Sequence, residues 1–218
     1  MIWDTETALK IAEFLLHIKA VRLSPDEPFT WASGWKSPIY CDNRLTLSYP
    51  DVRNNIRENF VRLIEDKYPN VDVIAGVATG GIALGVLVAQ EMGLPFCYVR
   101  SSAKGHGMQN RVEGKIEPGQ QAMVIEDLIS TGGSSISAVE ALRETGALVK
   151  GMAAIFTYGF PASDDALRAN EISYHTLSDY NYLLEQALVS GQITEKELKT
   201  LQAWRIRPST WNNNSIVS

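Results

Sequence analysis

The sequence predicts an α/β protein, with a mostly parallel twisted sheet flanked by helices and a small N-terminal subdomain ahead of it. Two observations carry this. Apolar runs suited to buried strands (71–77, 96–100, 122–125, 148–158) alternate with stretches of helical period at 82–92 and 134–144. Such alternation means parallel strands joined by crossovers, with helices covering both faces of the sheet. Residues 24–51 break that pattern: they are turn-rich and aromatic, with Phe29, Trp31, Trp35, Tyr40 and Tyr49 set among Pro25, Pro28, Gly34 and Pro38.

The elements follow in order. Residues 4–20 read as an amphipathic helix with Ala8, Ile11, Leu15 and Ile18 on one face. Residues 24–51 read as short strands joined by turns, and 52–68 as a helix that stops before Pro69. Gly93 closes the 82–92 helix and Gly146 the 134–144 helix. Residues 101–119 are polar and carry Gly105, Gly107, Gly114 and Gly119 without apolar period. A loop of about 19 residues exceeds the usual connection and suits a mobile binding segment. Residues 174–176 suit a short strand, 180–190 and 194–204 two short helices, and 208–218 a polar tail that need not be ordered. The whole reads as one domain over 1–218.

Composition narrows the function classes. A chain of 218 residues with 45% hydrophobic and 21% charged residues is an ordinary globular protein. A net charge of −5 gives no bulk affinity for nucleic acid. No apolar run approaches the roughly 20 residues of a membrane span. Asp4 and Glu6 near the start do not suit a secretory signal. Cys41 and Cys97 lie in apolar contexts without metal spacing and read as free thiols of a reducing compartment, so a cytoplasmic location is expected.

Residues 124–135 hold the most informative chemistry. An apolar strand leads to Glu126 and Asp127, then to Leu128, Ile129, Ser130, Thr131, Gly132, Gly133 and Ser134, where a helix begins. Backbone N–H groups and hydroxyls at a helix start suit a phosphate. Two carboxylates would repel that phosphate and suit hydroxyl groups or a hydrated divalent cation instead. An ordinary strand–turn–helix would explain Ser130 or Ser134 as an N-cap, but gives no reason for the carboxylate pair. Neither a P-loop nor a dinucleotide fingerprint is present.

This segment resembles the phosphoribosyl-pyrophosphate signature of the type I phosphoribosyltransferases: an apolar strand, two acidic residues and a T/S-x-G-x-T/S loop. Beside it, residues 78–81, with Thr79 and Gly80, resemble the pyrophosphate loop of that family; Gly80 stands where some relatives carry Lys, leaving contact to the main chain. Arg100, Lys104, His106 and Gly107 fill R-x-x-x-K-x-H-G, the catalytic loop of orotate phosphoribosyltransferases, with Ser101 and Ser102 where many relatives carry a further Lys. Residues 29–44 fit F-x-x-x-S-G-x-x-S-P-x-Y-x-D-x-R, the N-terminal hood of the same enzymes, with Ala32 where some carry Lys. A planar anionic base needs a stacking face and a cation; Tyr40 suits the first, and Lys36 or Arg44 the second. Trp31 and Trp35 read as core.

The resemblance implies the type I fold and transfer of a phosphoribosyl group from phosphoribosyl pyrophosphate to orotate. It implies Mg²⁺ held mainly by substrate and water, without direct side-chain ligation. Glu126 and Asp127 would then hold the ribose hydroxyls, and residues 130–134 the 5′-phosphate. Arg100, Lys104 and His106 would neutralise the leaving pyrophosphate. It also implies a homodimer whose basic loop reaches the neighbouring site, with no nucleic-acid or membrane partner. A purine or uracil phosphoribosyltransferase is the nearest rival, and the 29–44 segment argues against it. A non-catalytic RNA-binding regulator of this fold would not need the basic loop. A phosphoribosyl-pyrophosphate synthase would need an ATP site that the sequence does not offer.

Overall fold

The structure, a computed structural model, describes residues 1–31, 33–101 and 111–211. Helix α1 (Thr5–His17) starts at Asp4, whose carboxylate accepts the Thr7 N–H at 2.7 Å, and buries Ala8, Ile11, Ala12, Leu15 and Leu16. The aromatic segment then folds into two small antiparallel ladders. Strand β1 (Val21–Leu23) pairs with β4 (Ile39–Cys41), and β2 (Phe29–Thr30) with β3 (Lys36–Ser37). A 3-10 segment, Asn43–Ser48, leads into α2 (Pro50–Lys67), which opens on a proline that has no N–H to lose there.

The main sheet follows. Strand β5 (Val73–Val77), helix α3 (Gly80–Met92) and strand β6 (Phe96–Val99) form the first crossover unit. Short β7 (Val112–Glu113) returns antiparallel on β6. Strand β8 (Gln121–Ile129), helix α4 (Gly133–Glu144), strand β9 (Leu148–Thr157), helix α5 (Pro161–Ala169) and strand β10 (Tyr174–Asp179) form the rest. Helices α6 (Tyr180–Val189) and α7 (Glu195–Ile206) close the described chain, α7 with a reciprocal cap between Thr194 and Glu197. The sheet order is β10-β9-β8-β5-β6-β7, parallel except at β7.

Alternation along the strands divides the core. Ile74, Met123, Ile125, Ala153, Ile155 and Leu177 face a core with Leu15, Phe60, Leu84 and Leu183. Val73, Ala75, Val77, Val124, Met152 and Ala154 face a second core with Val139, Leu142 and Leu167. Each of the larger aliphatic and aromatic side chains among them, fully removed from water, contributes about 1.5–3 kcal/mol, and each alanine less. At the carboxyl end of β9, Trp204 of α7 packs among Trp31, Tyr158, Phe160 and Tyr180 at ring-centroid distances of 5.3–5.7 Å for its own four contacts and the Trp31–Tyr158 pair. That cluster ties the C-terminal helix and the hood to the sheet.

Three points of the expected organisation need correction. The strand expected over 122–125 continues to Ile129, because β9 pairs with it through Leu128↔Phe156 and Ile129↔Thr157. Glu126 and Asp127 therefore sit in a strand rather than in a turn. Residues 161–169, given no element from sequence, form α5. Within 101–119, residues 112–113 are folded onto the sheet edge as β7.

Candidate active site

Strands β5 and β8 are neighbours, yet the first crossover leaves β5 towards β6 and the second leaves β8 towards β9. That reversal opens a crevice at the carboxyl ends of the two strands, where ligands of open α/β sheets bind. Three pieces of chain meet there.

The first is residues 78–81. The Ala78–Thr79 peptide is cis. The Cα of Gly80 lies so close to the Asp127 carboxyl that a Cβ at position 80 would overlap it, and a Cβ on Gly81 would overlap the Ile125 carbonyl oxygen. A side chain at position 80 would need the Asp127 carboxyl to swing aside. The second is the carboxylate pair. Glu126 is 4% exposed. Its Oε2 accepts the Ser135 hydroxyl at 3.2 Å and its Oε1 the Asp127 N–H at 3.1 Å. Asp127 is half-buried and faces the 78–81 loop. The pair thus divides into an inner carboxyl that organises the turn and an outer one open to a ligand.

The third piece is the turn into α4. Gly132 is its N-cap at φ +83, a left-handed conformation natural to glycine, and no side chain caps the first turn. Neither Ser130 nor Ser134, which an ordinary strand–turn–helix would use as the cap, caps this helix. Thr131, Gly133 and Ser134 are exposed and Ser130 is half-buried. Uncapped N–H groups and free hydroxyls at a helix start form an anion cradle.

Burial pushes the Glu126 carboxyl well above the usual carboxylate range, and the charge of Asp127 adds to the rise. A group protonated more readily in the folded state contributes stability at acid pH that is lost as pH rises through its folded value. Glu126→Gln keeps the shape without the charge, so its unfolding midpoint is expected to exceed that of the wild type at about pH 8 and to converge with it near about pH 4. Each kcal/mol released moves the midpoint by about 2–4 °C in a chain of this size, which a fluorescence melt at several pH values resolves.

The hood closes over a cavity of about 230 Å³ lined by Thr30, Trp31, Tyr40, Cys41, Leu128, Ser130 and Tyr158. Tyr40 is among the lining residues. Trp31 packs on the core, donating its indole N–H to the Ile39 carbonyl at 3.0 Å, and walls the cavity as well. Neither candidate cation lines it. Lys36 donates to the Thr30 hydroxyl at 2.7 Å from just behind the wall. Arg44 is engaged by both oxygens of Asp42, at 2.7 and 2.9 Å. Burial pushes the Cys41 thiol up, so Cys41 acts as a neutral wall.

Arg100 ends β6, with Glu113 at 3.4 Å. Arg111, which the sequence did not single out, donates from Nε and Nη2 to the Arg100 carbonyl at 3.1 Å and from Nη1 to Ser137 at 2.8 Å. It clamps the neck of the segment that carries Lys104 and His106; those two residues and Ala32 lie outside the described residues. Tyr158 was also missed as a wall residue; its position at the carboxyl end of an apolar strand was the available signal. Among the described residues no group of three or more His, Cys, Asp or Glu is placed to hold a metal ion. The carboxylate oxygens of Glu126 and Asp127 are of the donor type that Mg²⁺ takes.

Residues 47–178 match the family model of the phosphoribosyl transferase domain. On this sheet order, with an acidic pair at the switch point, that match sets the class as the phosphoribosyltransferases. The orotate phosphoribosyltransferase of Phocaeicola vulgatus is 54% identical over 200 residues, 92% of this chain and 94% of that protein. The chain belongs to the orotate phosphoribosyltransferase family. Among solved structures, Leishmania donovani UMP synthase superposes with a TM-score of 0.77 at 24% identity, over 91% of this chain and 42% of that one, a likeness of fold. The orotate phosphoribosyltransferase of Aeropyrum pernix gives 0.73 at 26% identity, over 84% of this chain and 99% of that one.

Proposed function

We propose that this chain transfers the 5-phosphoribosyl group from 5-phospho-α-D-ribosyl diphosphate to N1 of orotate, giving orotidine 5′-phosphate and pyrophosphate on the route to UMP. The observation that carries this is the Glu126–Asp127 pair set between a glycine loop and an uncapped helix start. The 130–134 turn holds the 5′-phosphate. Asp127 takes a ribose hydroxyl and stabilises positive charge as the C1–O bond breaks, while Glu126 behind it fixes the Asp127 peptide. The N1 electron pair forms the new C1–N bond as the N1 proton is released to the departing pyrophosphate or to solvent, and the electrons of the C1–O bond leave with pyrophosphate. Main-chain groups at Thr79 and Gly80 meet the pyrophosphate, and Arg100, Lys104 and His106 neutralise it. The hood cavity receives the base, with Tyr40 as its face and Lys36, through Thr30, nearest its carboxylate. Mg²⁺, when bound through substrate oxygens and water, supplies charge neutralisation at the diphosphate.

Leu45 of the 3-10 segment and Tyr49, which links it to α2, are exposed apolar side chains, as is Val86 on α3, which packs against that segment. They suit self-association as a homodimer. The two free thiols fit a cytoplasmic setting, and among the described residues no helix is long and apolar enough to cross a membrane. The test is loss of orotate absorbance on adding phosphoribosyl pyrophosphate and Mg²⁺, with adenine, xanthine and uracil in parallel. Orotate loss with matching pyrophosphate release is expected. Turnover of a purine alone, or of no base by folded protein, overturns the reading.

A further inference from the structure

We propose that Asn43 is a positioning residue that joins the hood cavity to the Glu126–Asp127 pair. As a role in catalysis this rests on the phosphoribosyl transfer proposed above. The β5–β8 ladder ends at Gly76↔Ile125, so Asp127 lies beyond the reach of β5. There the Asp127 carbonyl accepts a hydrogen bond from Asn43 Nδ2 at 2.7 Å, across 84 positions of sequence. Asn43 is 1% exposed. Its Oδ1 accepts the Cys41 thiol at 3.2 Å, and Cys41 lines the hood cavity. One buried amide therefore has its acceptor on the cavity wall and its donors turned to the backbone of the outer carboxylate.

Asp127 is consequently held at three points. Its N–H rests on Glu126, its carbonyl on Asn43, and its carboxyl lies over Gly80. A group fixed this way is preorganised for the charge that develops beside it. The amide has no slack, because each end is used and it is shut off from water. A base that presses on Cys41 displaces Asn43 and, with it, the Asp127 peptide. The hood motif D-x-R leaves position 43 unspecified, so nothing in the motif accounts for an asparagine there.

Asn43→Asp and Asn43→Ala test this. Asn43→Asp is isosteric but, when ionised, cannot donate to the Asp127 carbonyl. At about pH 8, and at a temperature where each variant is fully folded, both are expected to lose at least about 10-fold in kcat, while the unpaired buried groups lower both unfolding midpoints. As pH falls to about 5, the new carboxyl of Asn43→Asp takes up a proton and donates again, so its kcat relative to wild type rises several-fold, while the Asn43→Ala ratio stays flat. The charged and titratable groups around position 43 are Tyr40, Cys41, Asp42 and Arg44 of the hood, Glu126 and Asp127 of β8, and Tyr158 just after β9. Asn43→Ala keeps all of them without a new carboxyl, so its ratio to wild type is the control for their own titration. Wild-type kcat in both variants, parallel flat ratios, or losses that track the unfolding midpoint would each overturn the proposal. If the wild type does not turn over orotate, the proposed reaction fails, and the same pH-dependent ratio is then read from phosphoribosyl-pyrophosphate binding.

Discussion

Asp127→Asn is expected to lower kcat by about 10²–10³, equivalent to about 2.7–4 kcal/mol of transition-state stabilisation. The substitution keeps the size and shape, removes the charge and exchanges one acceptor oxygen for an NH2 donor. That charge sits where it matters: Asp127 is half-buried at the β5–β8 crevice, its carboxyl over Gly80 and its peptide held at both ends. When the bond from ribose C1 to the diphosphate oxygen breaks, positive charge appears on the sugar. A fixed carboxylate in a partly dry crevice acts on it more strongly than water does. Binding of orotate should change little, because Asp127 is not part of the hood cavity wall. The signature is thus a fall in kcat with the orotate KM nearly unchanged, read by steady-state kinetics. A fall in kcat below about 5-fold would remove Asp127 from the reacting centre.

The contrast with Glu126 explains why one acidic pair divides its work. Glu126 is closed off, bonded to Ser135 and the Asp127 N–H, with its carboxyl pushed towards the neutral form. Its part is to hold the strand end against α4, while Asp127 meets the substrate. The sequence reading treated the two as equivalent, since adjacency is all that a sequence records.

Other parts of the site were legible to different depths. The apolar run 122–125 was readable because both faces of that strand are buried, and the glycine and hydroxyl turn because anion cradles have a local composition. The extension of β8 to Ile129 was not, because its cause is pairing with β9, a partner 28 positions away in sequence at Leu128↔Phe156 and Ile129↔Thr157. Helix α5 was hidden for another reason: only Ser163 and Leu167 are buried along it, too few for a visible period. Asn43 and Arg111 look like ordinary polar residues. Their partners, Asp127 and Ser137, are supplied by the tertiary fold. Tyr40 was found because it stands in a motif, whereas Cys41 and Tyr158 beside it needed the cavity.

Lys104→Ala should also lower kcat about 10²-fold or more, by removing a cation from the departing pyrophosphate. Arg111 and Arg100 clamp the neck of its segment at the carboxyl end of β6, and from that point Lys104 serves either its own crevice or that of a partner subunit. A mixed dimer decides between the two. Pair a Lys104→Ala subunit with an Asp127→Asn subunit. If the loop works across the dimer, one crevice receives an intact Asp127 together with an intact Lys104, and the other receives neither. The isolated heterodimer then recovers close to half of the wild-type rate, because one of its two sites is whole. If the loop serves its own subunit, every crevice lacks one of the two groups and the rate stays at the level of the parents. The difference is on the order of 10²-fold, since each parent retains only the rate of a site missing one charged group. A purified heterodimer that stays as slow as its parents would place Lys104 in its own subunit's site.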